Sequence, residues 1–427
     1  MKVQEVFTPG DFPEHTYVER GQGQLEERVE HQLRRDGAIV SLSGPSKSGK
    51  SVLIERVVGA ENLVSVYGGE IESTEHLWNL VLDELGAPQS TESASGTTEE
   101  SQVTGSFGIR THLFNAGGSA SESESTTDET VEVYGRRGLD DILEVNEAEE
   151  FVLLIDDFHY LSPDLQTEIG EALKQASEGG LRICVALIPH RSDDLTQANP
   201  DLQGRALTLQ LEYWNKEDLV KIGEKGFRTL NVSIPDDSIG SFASESAGSP
   251  HLMQQLCYDA CGLKGITETK DALTEIDMDK QHIKDVLGWT GASLDMDNVF
   301  DILNGEGISG KSQRDSHDFI NGTEGDVYES ILRGIADDSL QNELDQSEEG
   351  LDRSKLVEAI ERQCASSPPP LPSITQALER MDERITETHP ESAIFEWNSD
   401  TNQIQLPDPY LIFYLRWSDR LEYKPSL

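Results

Sequence analysis

The stretch Ala38-Ile39-Val40-Ser41-Leu42-Ser43-Gly44-Pro45-Ser46-Lys47-Ser48-Gly49-Lys50-Ser51-Val52-Leu53-Ile54 decides how this chain is read. Its first five residues form a short apolar, β-like run, and the residues from Val52 to Val58 follow a helical pattern. Between them lies Gly44-x4-Gly49-Lys50-Ser51. Strand, glycine loop and helix in that order is the context that a phosphate-binding loop requires. The glycines permit backbone geometry that turns successive N–H groups inward around phosphate oxygens, and the helix adds its positive N-terminal end. In this reading Gly44, Pro45, Ser46, Lys47, Ser48 and Gly49 form the cradle, Lys50 reaches the β- and γ-phosphates, and Ser51 is a ligand for Mg2+.

Further along, the apolar run Phe151-Val152-Leu153-Leu154-Ile155 ends in Asp156-Asp157. A parallel strand would deliver Asp156 beside the loop, where it would hold the Mg2+ ion through water. Asp157 is then the candidate to orient or activate an attacking water, or alternatively a structural or capping acid. Lys50 and Asp156 are 106 positions apart, and 64 once the 42-residue low-complexity insertion at 89–130 is set aside. The insertion, rich in Ser, Thr, Glu and Gly, reads as a salt-tolerant loop or as an ordered arm carrying Phe107, Ile109 and Leu113.

A helical stretch over Asp164 to Ala176, a second apolar run over Leu181 to Ile188 and a strand-like Ala206 to Leu211 complete an alternation of strands and helices. This implies an α/β fold with a mostly parallel sheet covered on both faces, spanning 1–212. Residues 213–262 read as a small helical lid, with helices over Lys216 to Phe227, Asp236 to Ala247 and Pro250 to Cys261. The segment 263–320 reads as an acidic linker or irregular region. The remainder, 321–427, has three helical stretches and a hairpin over Ala393 to Leu406, the pattern of a winged helix, and closes on an amphipathic helix. The four cysteines, Cys184, Cys257, Cys261 and Cys364, are too dispersed for a disulfide framework and read as reduced packing residues.

Together, the Gly44 to Ser51 loop, Leu153-Leu154-Ile155-Asp156-Asp157, the helical lid and the terminal winged helix resemble a P-loop NTPase of the AAA+ or STAND type, of the archaeal kind. The resemblance covers most of the chain, weakly in 263–320 and not at all in the insertion. It implies an ATP hydrolase that binds ATP or ADP with Mg2+. Tyr17-Val18-Glu19-Arg20 is similar to the family's adenine-side motif, which would make Val18 and Arg20 nucleotide contacts, although Glu19 stands where a glycine is usual. Ile188-Pro189-His190-Arg191 resembles the position that senses the γ-phosphate, with His190 first and Arg191 second. Gly248-Ser249-Pro250 is similar to the motif that packs on adenine, through Pro250, and Gly204-Arg205 to the position of an arginine finger acting in trans. No sensor arginine follows Pro250, which favours a slow switch over a motor.

The chain has 427 residues, with 80 acidic against 34 basic side chains and a net charge of −46; only 14 of the basic residues are lysine. Acids spread along the whole chain resemble a haloarchaeal proteome working in molar salt, where the Debye length falls to about 3 Å and net charge says little about partners. No apolar run approaches the length of a membrane span, and the N-terminus lacks a secretory pattern, so a cytoplasmic protein without a membrane partner is expected. The reading is a nucleotide-controlled regulatory or signalling switch with a homo-oligomeric or protein partner. The alternative is an initiator-like replication or DNA-remodelling ATPase binding DNA through its winged helix, not favoured because the charged residues Glu379, Arg380, Asp382, Glu383 and Arg384 offer no basic face.

Overall fold

The computed structural model describes residues 1–87, 90–93, 132–188, 206–307, 314–340, 350–389 and 393–422. The chain is an α/β protein whose central sheet is entirely parallel, with strand order β2-β5-β6-β1-β7. These strands are β1 (Ile39–Ser43), β2 (Leu63–Tyr67), β5 (Val152–Asp156), β6 (Arg182–Leu187) and β7 (Ala206–Gln210). By internal contacts the molecule divides into two units, Gly23–Ser43 with Ser51–Gln210, and Met1–Gln22 with Gly44–Lys50 and Leu211–Leu427.

In the sheet unit, the near-continuous apolar strands follow from burial on both faces. Ile39, Leu153, Ile155, Ile183 and Val185 share one core with Leu77, Trp78 and Val81 of α4 (Thr74–Glu84), Ile142 and Val145 of α5 (Leu139–Ala148), and Ile169 and Leu173 of α6 (Pro163–Glu178). The alternate residues Val40, Leu42, Leu154, Cys184 and Ala186 are buried as well, on the face opposite, and α2 (Gln24–Leu33) packs on β1. The first residues of α6 show why the helix starts there: Ser162 accepts the Leu165 N–H as N-cap and Pro163 occupies the first turn. The insertion is rooted in an antiparallel ribbon of β3 (Ser90–Ser93) and β4 (Glu132–Gly135). Its expected arm at 105–114 lies outside the described residues.

The other unit holds two apolar cores. One gathers Val3 and Val6 of α1 (Val3–Val6), Phe7 and Val18 with α7 (Lys216–Thr229), α8 (Asp236–Glu245), α9 (Pro250–Leu263) and α10 (Lys280–Ser293). The N-terminal residues thus pack with helices that follow residue 211, although the sequence places them with the sheet. The second core is built from α11 (Asp297–Leu303), α12 (Val327–Ile335), α13 (Arg353–Gln363) and α14 (Leu371–Thr388), with α15 (Pro409–Trp417) and a three-stranded antiparallel sheet. Its strands are β8 (Leu351–Asp352), β9 (Glu396–Asn398) and β10 (Gln403–Gln405), with β10 in the middle.

The centre of 263–320 is not irregular. Ile283, Val286 and Leu287 of α10 recur at helical spacing on the buried face, while Lys284 and Asp285 stand exposed between them. The charged and glycine-bearing outer face dilutes that period in the sequence, and the N-cap is Asp279, one of the acids that suggested a linker. All four cysteines are free, and burial pushes the Cys257 thiol up, as packing residues would show.

Candidate phosphate-binding site

The sheet register sets the acidic half of the site. β1 and β5 pair in parallel with the two sides of β6, so Ser43 and Asp156 both stand at carboxyl ends of strands that run the same way. Asp156, at the end of β5, extends one residue beyond the pairing with β6. There its Oδ2 accepts a hydrogen bond from Ser51 Oγ, on the first turn of α3 (Lys50–Val58). The two residues read as ligands for one cation are therefore in direct contact.

Asp157 follows with left-handed backbone, φ +54°, and its N–H donates to Asp156 Oδ1 at 3.0 Å. Its carbonyl accepts the N–H of Tyr160, which closes the turn Phe158–Tyr160. The backbone of Asp157 thus ends the strand, and its half-exposed side chain is not consumed in the cap.

The loop itself, Gly44 to Lys50, is held by residues of the helical unit. Gly44 must be glycine: a Cβ would stand 2.8 Å from Leu211 Cβ and 2.9 Å from its carbonyl oxygen. Gly49 sits at φ +90°, the left-handed region, as the loop turns into α3. Lys50 is 5% exposed, and its Nζ donates to the carbonyls of Gly44 and Pro45 at 3.0 and 2.9 Å. A buried cation is thereby centred within the loop.

Three contacts on this loop are absent from the sequence reading. Trp214 Nε1 donates to the Ser48 carbonyl at 2.9 Å. Lys47, itself at φ +57°, donates from Nζ to Asp408 Oδ2 at 2.7 Å and lies 4.2 Å over the Tyr410 ring. The Ser46 N–H donates to the Pro407 carbonyl at 3.3 Å. Trp214 and Asp408 are 166 and 361 positions from their loop partners, so no local pattern announces them. The aromatic and acidic residues next to β7 and at the start of α15 were the only available signal.

The remaining candidates are placed as follows. Val18 is 5% exposed and belongs to the first helical core. Arg20 donates to the Glu212 carbonyl at 2.6 Å and lies 5.2 Å over the Trp214 ring, on the same residue that holds the loop. Pro250 occupies the first turn of α9, behind the N-cap Ser249, whose Oγ also reaches the Lys47 carbonyl at 3.4 Å. His190, Arg191 and Arg205 lie outside the described residues.

No protein-family model matches the sequence, and no curated protein does. Among solved structures, the Walker-type ATPase PABY2304 of Pyrococcus abyssi is similar at 13% identity over 92% of this chain and 95% of that chain, with a TM-score of 0.48. The Aeropyrum pernix ORC2 protein in its ADPNP–ADP complexes matches at 14% identity over 96% of each chain, TM-score 0.48. The RuvB Holliday junction branch migration motor of Thermotoga maritima matches at 12% over 95% of this chain and 96% of that chain, TM-score 0.38. At such identities and scores these likenesses assign no activity. No helix among the described residues is long and apolar enough to cross a membrane.

Proposed function

We propose that the chain is an ATP-binding, Mg2+-dependent ATPase that works as a nucleotide-controlled switch. The observation that carries this reading is the hydrogen bond from Ser51 to Asp156, next in the chain to a buried Lys50 enclosed by the loop's own carbonyls. A hydroxyl and a carboxylate brought together are hard oxygen donors of the kind Mg2+ takes, so the residues fit the ion. Ser51 and Asp156 would hold it, and it would supply charge neutralisation to the phosphates. Lys50 binds β- and γ-phosphate oxygens, the loop amides from Gly44 to Ser51 orient them, and Asp157 positions the attacking water. Val18, Arg20 and Pro250 serve the base side of the nucleotide, while His190 and Arg205 serve the γ-phosphate and a neighbouring subunit.

The C-terminal helices α12, α13 and α14 with the sheet β8-β10-β9 support a winged helix. On α14 the exposed charged residues are Glu379, Glu383 and Glu387 against Arg380 alone, a poor approach to phosphates, so the partner is read as a protein or a second copy of the chain. Equilibrium binding of a fluorescent ATP analogue in molar KCl tests the core of this reading. Lys50→Ala is expected to abolish binding, and Asp157→Ala to retain it while lowering turnover at least tenfold. Equal affinity in Lys50→Ala and the unmodified chain would refute the loop assignment.

A further inference from the structure

Of the groups that touch the loop, those from the start of α15 have no part in the chemistry above. The loop is held there at Lys47 by two contacts and at Ser46 by a third. Asp408 takes the Lys47 ammonium group, and the Tyr410 ring lies beneath the same cation. The neighbouring Ser46 amide is bonded to the Pro407 carbonyl. The ion pair is sheltered, with the Lys47 and Asp408 side chains 27% and 15% exposed, so salt screens it less than a surface pair.

The geometry around this contact is built rather than incidental. Asp408 divides its carboxylate: Oδ1 accepts the Tyr410 N–H as the N-cap of α15, and Oδ2 accepts from Lys47. The Tyr410 hydroxyl is hydrogen-bonded to His251 Nδ1 on α9, and Ser249, the N-cap of that helix, reaches the Lys47 carbonyl. Lys47 also sits in left-handed backbone, a conformation costing a non-glycine residue of order 1 kcal/mol or more, and such strain persists only where surrounding contacts over-determine it. Two helix starts therefore converge on one strained loop residue.

We propose that Pro407 to Tyr410 is a latch on the phosphate-binding loop, with Asp408 as its positioning residue, through which the C-terminal region sets the rate of nucleotide exchange. The latch rests on the nucleotide-binding reading for its consequence, although the contact itself does not. A loop held from outside at Ser46 and Lys47 has fewer ways to open. By linkage, whatever the nucleotide does to the loop must be returned as a change in the stability of the α15 start.

Asp408→Asn is the discriminating variant, because the amide oxygen keeps the cap while the negative charge that faces Lys47 is removed. Asp326→Asn, at the N-cap of α12 and ion-paired to Arg314, is a control that removes a charge and a partner elsewhere in the same unit. Stopped-flow release of a fluorescent ADP analogue from the full chain in molar KCl is expected to be three- to tenfold faster in Asp408→Asn and unchanged in Asp326→Asn. Amide hydrogen exchange without nucleotide is expected to rise at Ser46 to Lys50 in Asp408→Asn only. Release within twofold of the unmodified chain, or equal exchange at these amides, overturns the latch and leaves nucleotide binding standing. Failure of the unmodified chain to bind any adenine nucleotide overturns the nucleotide reading and, with it, the latch's role in exchange, whereas the amide-exchange arm would still report the contact itself.

Discussion

Trp214 shows how much of the site depends on single side chains far from the motif. Its indole N–H holds the Ser48 carbonyl, and its ring carries the Arg20 guanidinium. Trp214→Phe keeps the ring and removes the donor, so ATP affinity is expected to fall about fivefold, corresponding to a net hydrogen bond of about 1 kcal/mol; titration calorimetry checks it. Nearby, burial and then the adjacent Lys47 hold the His251 imidazole below its usual 6.5, against an opposing pull from Asp408. A group whose folded pKa is lowered contributes stability that is present above its unfolded pKa and lost as pH falls through the folded one. The chain is therefore expected to lose stability as pH falls from about 6.5. His251→Gln should show a smaller loss over the same range in urea midpoints.

The elements were legible where local chemistry dictates them. The run Phe151 to Ile155 is apolar throughout because β5 is buried on both faces, and Gly44-x4-Gly49-Lys50-Ser51 fixes its own turn through two glycine positions. By contrast α10 was hidden by the charged residues between its apolar ones, and nothing local distinguishes the N-terminal segment that packs with α7 to α10. At this scale the buried pair of Glu245 on α8 and Arg416 on α15 is the sharpest test. Arg416 also donates to the Ala336 carbonyl at 3.0 Å, and Trp417 Nε1 donates to Glu245 Oε2 at 2.7 Å. Glu245→Ala leaves the 3%-exposed guanidinium with Asp338 as a remaining carboxylate partner and is expected to cost about 2–3 kcal/mol in urea denaturation. Replacing both partners with apolar residues of similar volume is expected to cost less than the single change.

Over the whole molecule, a net charge of −46 makes solvent ions part of the folding equilibrium. The thermal midpoint is expected to rise steeply between dilute buffer and molar KCl and then flatten, as screening of mutual repulsion is completed; a salt-independent midpoint would contradict it. The root of the insertion has a separate consequence. In the ribbon Ser93 faces Glu132 directly, so the two ends of the intervening stretch stand at adjacent positions. Splicing Ser93 to Glu132 through a two-residue Asn-Gly bend would preserve that pairing. With the two ends paired face to face, stretches of very different length could join the same two strands without a change in their register.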